Sequence, residues 1–178
     1  ILIVITIYAI GTAVIWWRLQ DTFSAGEALW HSAFLSVSAF NNAGFTILPE
    51  SESLSGFFFN TPLLGCVAIL IVLGGISWTV LVDVIRQRRF SRFTLDTKMV
   101  ITTSIFLWAL GALVLFIAEY DNEATLGNHS VLQKGFHSLF QSISGRTAGL
   151  TTLDFSKTTE LTDLFYPFLM FVGGAAGS

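Results

Sequence analysis

Apolar positions in this chain run in long blocks. Residues 62–82 give 21 positions without a charge and residues 99–118 give 20. Each block matches the ~20 residues a helix needs to cross ~30 Å of hydrocarbon. Residues 1–17 and 164–178 have the same character and are expected to be further spans. A helix pairs its own backbone N–H and C=O groups, which is what lipid demands of a crossing segment.

Two other segments break this pattern. Residues 134–150 carry Lys134 and Arg146, and each charge costs about 2.5–3.5 kcal/mol at the centre of a spanning helix. Yet Phe136, Leu139, Phe140 and Ile143 keep helical spacing. Residues 28–49 are uncharged, but the helical pattern is expected to stop near Phe40, where Asn41-Asn42-Ala43-Gly44 follows. Both segments read as re-entrant hairpins, a half-helix going in and an extended strand coming back.

The two hairpins are copies. Trp30-His-Ser-Ala-Phe-Leu-Ser-Val-Ser38 lies over Phe136-His-Ser-Leu-Phe-Gln-Ser-Ile-Ser144 at an offset of 106. After a slip of one residue, Asn41-Asn-Ala-Gly-Phe-Thr46 lies over Arg146-Thr-Ala-Gly-Leu-Thr151. Each copy opens on a capping-box pattern, Ser24-x-x-Glu27 and Ser130-x-x-Gln133, that starts a short helix. Each is followed by an apolar run with a Gly pair, Gly74-Gly75 and Gly173-Gly174. The repeating unit is therefore span, half-helix, Gly-containing strand, span.

A half-helix of ~12 residues is ~18 Å long and ends near mid-membrane. Its C-terminal end carries roughly half a negative charge. The strand beyond it is tolerable only along a wet path, and bare carbonyls around a narrow path suit a cation shedding its water. Gly44 and Gly149 are expected to supply backbone turns that a Cβ would block. A transporter of an organic solute also uses such hairpins, but a solute carboxylate seeks helix N-termini.

Composition and charge narrow the class. The chain has 178 residues, 53% hydrophobic and 12% charged, against about 25% charged in soluble domains. A net charge of −3 provides no basic field for nucleic acid. The single Cys66 rules out a disulfide framework. No nucleophile–base pair, phosphate loop or metal-ligand cluster stands out, so an enzyme is not expected. Five of the nine basic residues (Arg86, Arg88, Arg89, Arg92, Lys98) share one short connection, which the positive-inside rule assigns to the cytoplasm. Both ends fall within apolar runs and residues 1–17 lack a charged leader region, so the sequence is expected to be a piece of a longer transporter-like chain rather than to begin with a signal peptide.

Ser36-Val-Ser-Ala-Phe-Asn-Asn-Ala-Gly-Phe45 and Ser142-Ile-Ser-Gly-Arg-Thr-Ala-Gly-Leu150 resemble the second and third pore loops of the Trk/Ktr/HKT potassium transporters. Phe171-Val-Gly-Gly-Ala-Ala-Gly-Ser178 is similar to the Gly-rich gating segment of that family's third repeat. The resemblance implies an all-α integral membrane fold of repeated span–re-entrant pore loop–span units around a central ion pore, akin to voltage-gated-like potassium channels. Residues 1–85 would form one unit, 86–98 a cytoplasmic basic linker and 99–178 a second unit. It implies multi-pass residence in the plasma membrane and K⁺ uptake, with Na⁺ sometimes involved and no cofactor. Its filter strands would be Asn41, Asn42, Ala43, Gly44 and Arg146, Thr147, Ala148, Gly149. A gate at Gly173, Gly174 and Gly177, a homodimer and a cytosolic nucleotide-binding regulatory subunit are implied in the same way.

Single residues leave choices open. Arg146 is either an anchor paired to a nearby acid or to carbonyls at a half-helix end, or an electrostatic element tuning outer ion occupancy. Asn41 and Asn42 offer an ion their main-chain oxygens, with amides bracing the strand, or their side-chain oxygens. His31 and His137 occupy equivalent places and are expected to pack and hydrogen-bond rather than hold a metal.

Overall fold

A computed structural model describes residues 2–49 and 53–173. The described residues form seven α-helices and no strand: α1 (Leu2–Leu19), α2 (Ala25–Phe40), α3 (Thr61–Gly75), α4 (Trp78–Gln87), α5 (Leu95–Ala118), α6 (Val131–Thr147) and α7 (Glu160–Val172). Helices α1 and α5 are long and apolar enough to cross a membrane. Large apolar side chains such as Ile10, Trp17, Phe106, Leu113, Ile117 and Phe168 lie exposed along α1, α5 and α7. An apolar surface of that extent is a lipid or protein interface, not a water-facing one.

Both half-helices begin as the sequence predicts. The Ser24 backbone N–H donates to the Glu27 carboxylate at 3.3 Å and its hydroxyl to the same oxygen at 2.7 Å. In the second copy the Ser130 N–H donates to Gln133 Oε1 at 3.2 Å, and the Gln133 N–H donates back to Ser130 Oγ. Starting groups that would otherwise be orphaned are thereby paired.

The segment 62–82 differs from the single span its uncharged length predicts. It is two helices, α3 and α4, bent by 100° across Ile76 and Ser77. Gly74 and Gly75 end the first helix, and Ser77 (φ −52°, ψ 141°) stands at the N-cap of the second. Gly and Ser pairs are where helices kink, and mean hydropathy does not register them. The run 164–178 begins earlier than expected, because α7 starts at Glu160 behind its cap Thr159. Gly174 and Gly177 lie outside the described residues.

Helices α1, α2 and α3 pack on one another, α5 packs on α6 and α7, and α3 joins α6 across the two sets. The core at these contacts holds Ile15, Leu35, Leu63, Val67, Ile71 and Phe140. Lipid is as apolar as leucine, so close packing of small residues has to hold spans together. Two positions do this identically. Gly11 on α1 faces Ser36, and a Cβ there would come within 2.5 Å of Ser36 Oγ. Gly111 on α5 faces Ser142, and its Cβ would come within 2.2 Å of Ser142 Oγ. The two hydroxyls donate to the Tyr8 and Trp108 carbonyls at 3.1 and 2.9 Å.

Candidate functional site

Each half-helix runs out into a short non-helical stretch. After α2, the Ala43 N–H donates to the Ser38 carbonyl at 2.9 Å, and after α6 the Gly149 N–H donates to the Ser144 carbonyl at 2.8 Å. The side chains of the same serines repeat the match. Ser38 Oγ donates to the Phe45 carbonyl at 2.6 Å, and Ser144 Oγ donates to the Leu150 carbonyl. Between these ties sit Gly44 at φ 76° and Gly149 at φ 75°. That left-handed region is open to glycine and costs other residues roughly 1–2 kcal/mol. The sequence pair Ala-Gly thus marks one backbone conformation built twice.

The two stretches meet. A Cβ on Gly44 would lie 2.3 Å from the Ala148 carbonyl oxygen. The end of α3 closes in from the other side: a Cβ on Gly74 would fall 1.5 Å from the Phe40 carbonyl oxygen, and one on Gly75 would sit 3.6 Å from Asn42 Nδ2 and 3.7 Å from Thr147 Oγ1. The ends of α2 and α6 open on one cavity of about 640 Å³, whose walls include Phe40, Asn41, Asn42, Gly74, Arg146, Thr147 and Gly173. Two helix C-termini facing one space contribute roughly half a negative charge each, set against the positive charge of Arg146 in the same wall.

Arg146 and Thr147 are not strand residues. They are the last turn of α6, whereas α2 ends at Phe40. The helix runs one residue further in the second copy, because Asn42 adopts a left-handed φ of 52° that an asparagine tolerates well. Arg146 is buried. Its Nε donates to the Gly173 carbonyl and Nη1 donates to Ser104 Oγ at 2.8 Å. Its guanidinium carbon stands 5.9 Å from the centre of the Trp108 ring. The end of α6 is thereby linked to α5 and to the end of α7.

The asparagines divide their work. Asn41 Nδ2 donates to the Tyr8 hydroxyl at 2.9 Å and to the Val37 carbonyl at 2.8 Å. Asn42 Oδ1 is buried without a hydrogen-bond partner among the described residues. His31 packs on Phe23 with ring centroids 5.1 Å apart. His137 stacks on Phe58 at 3.5 Å, and its Nδ1 lies 3.2 Å from Thr152 Oγ1. No group of three potential metal-ligating side chains occurs among the described residues.

Sequence reasoning missed several residues that hold this site. Gly11 and Gly111, the seats of the half-helices, carry a signal in their equal placement at an offset of 100. Gly145 lies against Tyr166, whose hydroxyl accepts from Gln141 Nε2 at 2.7 Å. Glu119, fully buried just past α5, accepts from Asn122, Thr125 and Thr162 and from both the N–H and hydroxyl of Thr159. Burial pushes its pKa up, but these hydrogen bonds outweigh burial and hold the carboxyl below its usual value. In the first copy the equivalent join is Arg18 Nε donating to Asn60 Oδ1 at 3.1 Å.

Apolar helices without strands among the described residues, with two short helices that share capping boxes and left-handed glycines, define an all-α membrane protein with an internal repeat. The chain matches the TrkH family of cation transport proteins over residues 1–178 and belongs to it. This is the Trk/Ktr/HKT family of potassium transporters that the loop motifs resemble, and its members are transporters rather than enzymes. The chain is 37% identical over 174 residues to Ktr system potassium uptake protein B of Bacillus subtilis, covering 98% of this chain and 39% of that protein. It is 31% identical over 173 residues to the protein of the same name from Vibrio alginolyticus, covering 96% of this chain and 37% of the relative. Against potassium/sodium uptake protein NtpJ of Enterococcus hirae the identity is 29% over 174 residues, with 98% of this chain and 38% of that protein covered. The chain therefore spans under two fifths of the length of these relatives.

Proposed function

We propose that this chain contributes two of the pore-lining segments of a K⁺ uptake protein in the plasma membrane. In this reading the main-chain carbonyls of Asn41, Asn42, Ala43 and Gly44, and of Arg146, Thr147, Ala148 and Gly149, line the ion path. The supporting observation is the pair of left-handed glycines, φ 76° and 75°, at the C-terminal ends of two half-helices that open on one cavity. Carbonyls and helix C-termini suit a cation. An organic anion would require helix N-termini, and here those are already paired with Glu27 and Gln133. Na⁺ shares the path to the degree that the remaining filter strands allow. The gate at Gly173, Gly174 and Gly177 is carried by the family resemblance, and of the three Gly173 is described, at the C-cap of α7 with φ 59°. The working assembly is a homodimer with a cytosolic nucleotide-binding regulatory subunit, the arrangement implied by the family resemblance and in keeping with relatives named as parts of a Ktr system.

The full-length protein, expressed in cells lacking their own K⁺ uptake, should restore Rb⁺ influx. K⁺ should compete for that influx at concentrations where Na⁺ does not. Rb⁺ influx that external K⁺ leaves unchanged overturns the reading.

Arg146 acts in this proposal as an anchor. Hydrogen bonds from a charged donor are each worth about 1.5–3 kcal/mol, and this guanidinium makes two across three helices. Arg146→Gln should therefore lower the folded yield of the full-length protein severalfold. Arg146→Lys should lower it too, because an ammonium lacks the planar fork that reaches both acceptors. Full yield in the Lys variant, with Rb⁺ affinity changed only in the Gln variant, would make Arg146 an electrostatic tuner instead.

A further inference from the structure

Helix α4 has no place in the ion path beyond Trp78 and Leu81 at the cavity wall. It turns 100° from α3, and its position is fixed at the other end. The Asp83 carboxylate accepts the Thr94 N–H at 2.9 Å and the Thr94 hydroxyl at 3.1 Å. Thr94 caps the first turn of α5, so the middle of α4 lies level with the end of a full-length span. At the end of such a span hydrocarbon gives way to headgroups, and α4, turned 100° from α3, meets that boundary at Asp83.

The side chains of α4 suit such a boundary. Trp78, Val82 and Ile85 are 48, 41 and 59% exposed, and their i, i+4, i+7 spacing makes one stripe. Val80 is buried on the other side, against the protein. Arg86 in the last turn, then Arg88 and Arg89, stand at the end of the stripe, all exposed. Among the described residues none of these arginines makes an ion pair. Arg88 also holds a left-handed φ of 51° at the helix C-cap, where glycine would sit without strain.

We infer that α4 is an interfacial helix that lies in the leaflet facing the basic loop, with Val82 and Ile85 in the acyl region, Trp78 at the cavity end of the stripe, and its arginines holding anionic phospholipid headgroups. Charge complementarity selects the occupant. An apolar stripe ending in unpaired arginines fits a surface that is apolar inside and anionic at its edge. The inference goes beyond the ion-path reading, and its test does not depend on transport.

The test uses the full-length protein, freed of native cysteines, with a fluorophore on a cysteine at Ser91. It is reconstituted in phosphatidylcholine vesicles containing brominated phosphatidylglycerol or, at equal mole fraction, brominated phosphatidylcholine. The anionic lipid should quench severalfold more than the neutral one. Each arginine near the surface contributes about 1 kcal/mol, some fivefold in local enrichment, so Arg86→Gln with Arg89→Gln should remove most of the excess. Arg88→Gly should also reduce it while leaving folded yield undiminished, since glycine suits the left-handed cap. Equal quenching by both lipids overturns the inference. So does protection from both, the result expected if an acidic protein surface or another part of the chain covers this face.

Discussion

Gly44→Ser should lower the ratio of Rb⁺ to Na⁺ influx about tenfold or more, equivalent to ~1.4 kcal/mol of lost discrimination, while Gly149→Ser should cost less. Both variants put a side chain at a left-handed φ, 76° and 75°, at roughly 1–2 kcal/mol of backbone strain. Only Gly44 carries a second penalty. Its Cβ would stand 2.3 Å from the Ala148 carbonyl oxygen, whereas nothing among the described residues lies within 4 Å of a Cβ on Gly149. The intruding atom is next to one of the carbonyls proposed to face the ion, so relief of the clash has to move that oxygen. Measuring both cations in each variant, per folded transporter, checks the order. An equal loss at the two positions would mean that another strand of the whole protein lies against Gly149. No loss at either would remove these glycines from the path.

Gly74→Ala should be more damaging to folding than any other single methyl added to α3. The new Cβ would fall 1.5 Å from the Phe40 carbonyl oxygen and 2.6 Å from its carbon. These are backbone atoms at the end of a half-helix, with no flexible side chain to swing aside. Overpacking of a tight contact costs typically 1–3 kcal/mol and occasionally more, and this overlap belongs at the top of that range. Gly65→Ala, in the same helix with nothing within 4 Å, is the control. It should be neutral or gain up to about 1 kcal/mol in helix propensity. Thermal unfolding of the two purified full-length variants, followed by loss of the monodisperse species, separates them. Normal stability in Gly74→Ala would mean that α3 and α2 do not approach as closely as the structure has them.

The half-helices were legible because their signals are local. A serine with Glu or Gln three residues later starts each one, and the Ala-Gly pair marks the turn where each ends. The break inside 62–82 was illegible to a charge count, since Gly74, Gly75 and Ser77 are all uncharged and small. A reading of helix breakers rather than hydropathy would have placed it. The difference at Arg146 has another cause. Sequence alignment put it opposite Asn41, but an arginine continues a helix where paired asparagines favour a turn, and Ser104 and Gly173 receive its guanidinium. That pairing crosses 42 and 27 residues of chain, so nothing local announces it. The seats at Gly11 and Gly111 fall between these cases. They repeat in the sequence, but their meaning depends on Ser36 and Ser142 arriving from another helix.

In the proposed ion path, the serines that tie back the Phe45 and Leu150 carbonyls would bound the length of the ion queue. Each tied oxygen already accepts a hydroxyl and is a poor substitute for a water of hydration. On that proposal the oxygens left for an ion after α2 run from Asn41 to Gly44, and those at the end of α6 stop at the equivalent rung, Gly149. Conduction through such a ladder relies on neighbouring ions pushing one another along, so the number of rungs limits how many can wait in line. Releasing the tie at both serines would lengthen the ladder at its Phe45 and Leu150 end by one rung. The kinetic sign of that change is in the trans-effect of external K⁺, the degree to which an arriving ion hastens the departure of one already inside.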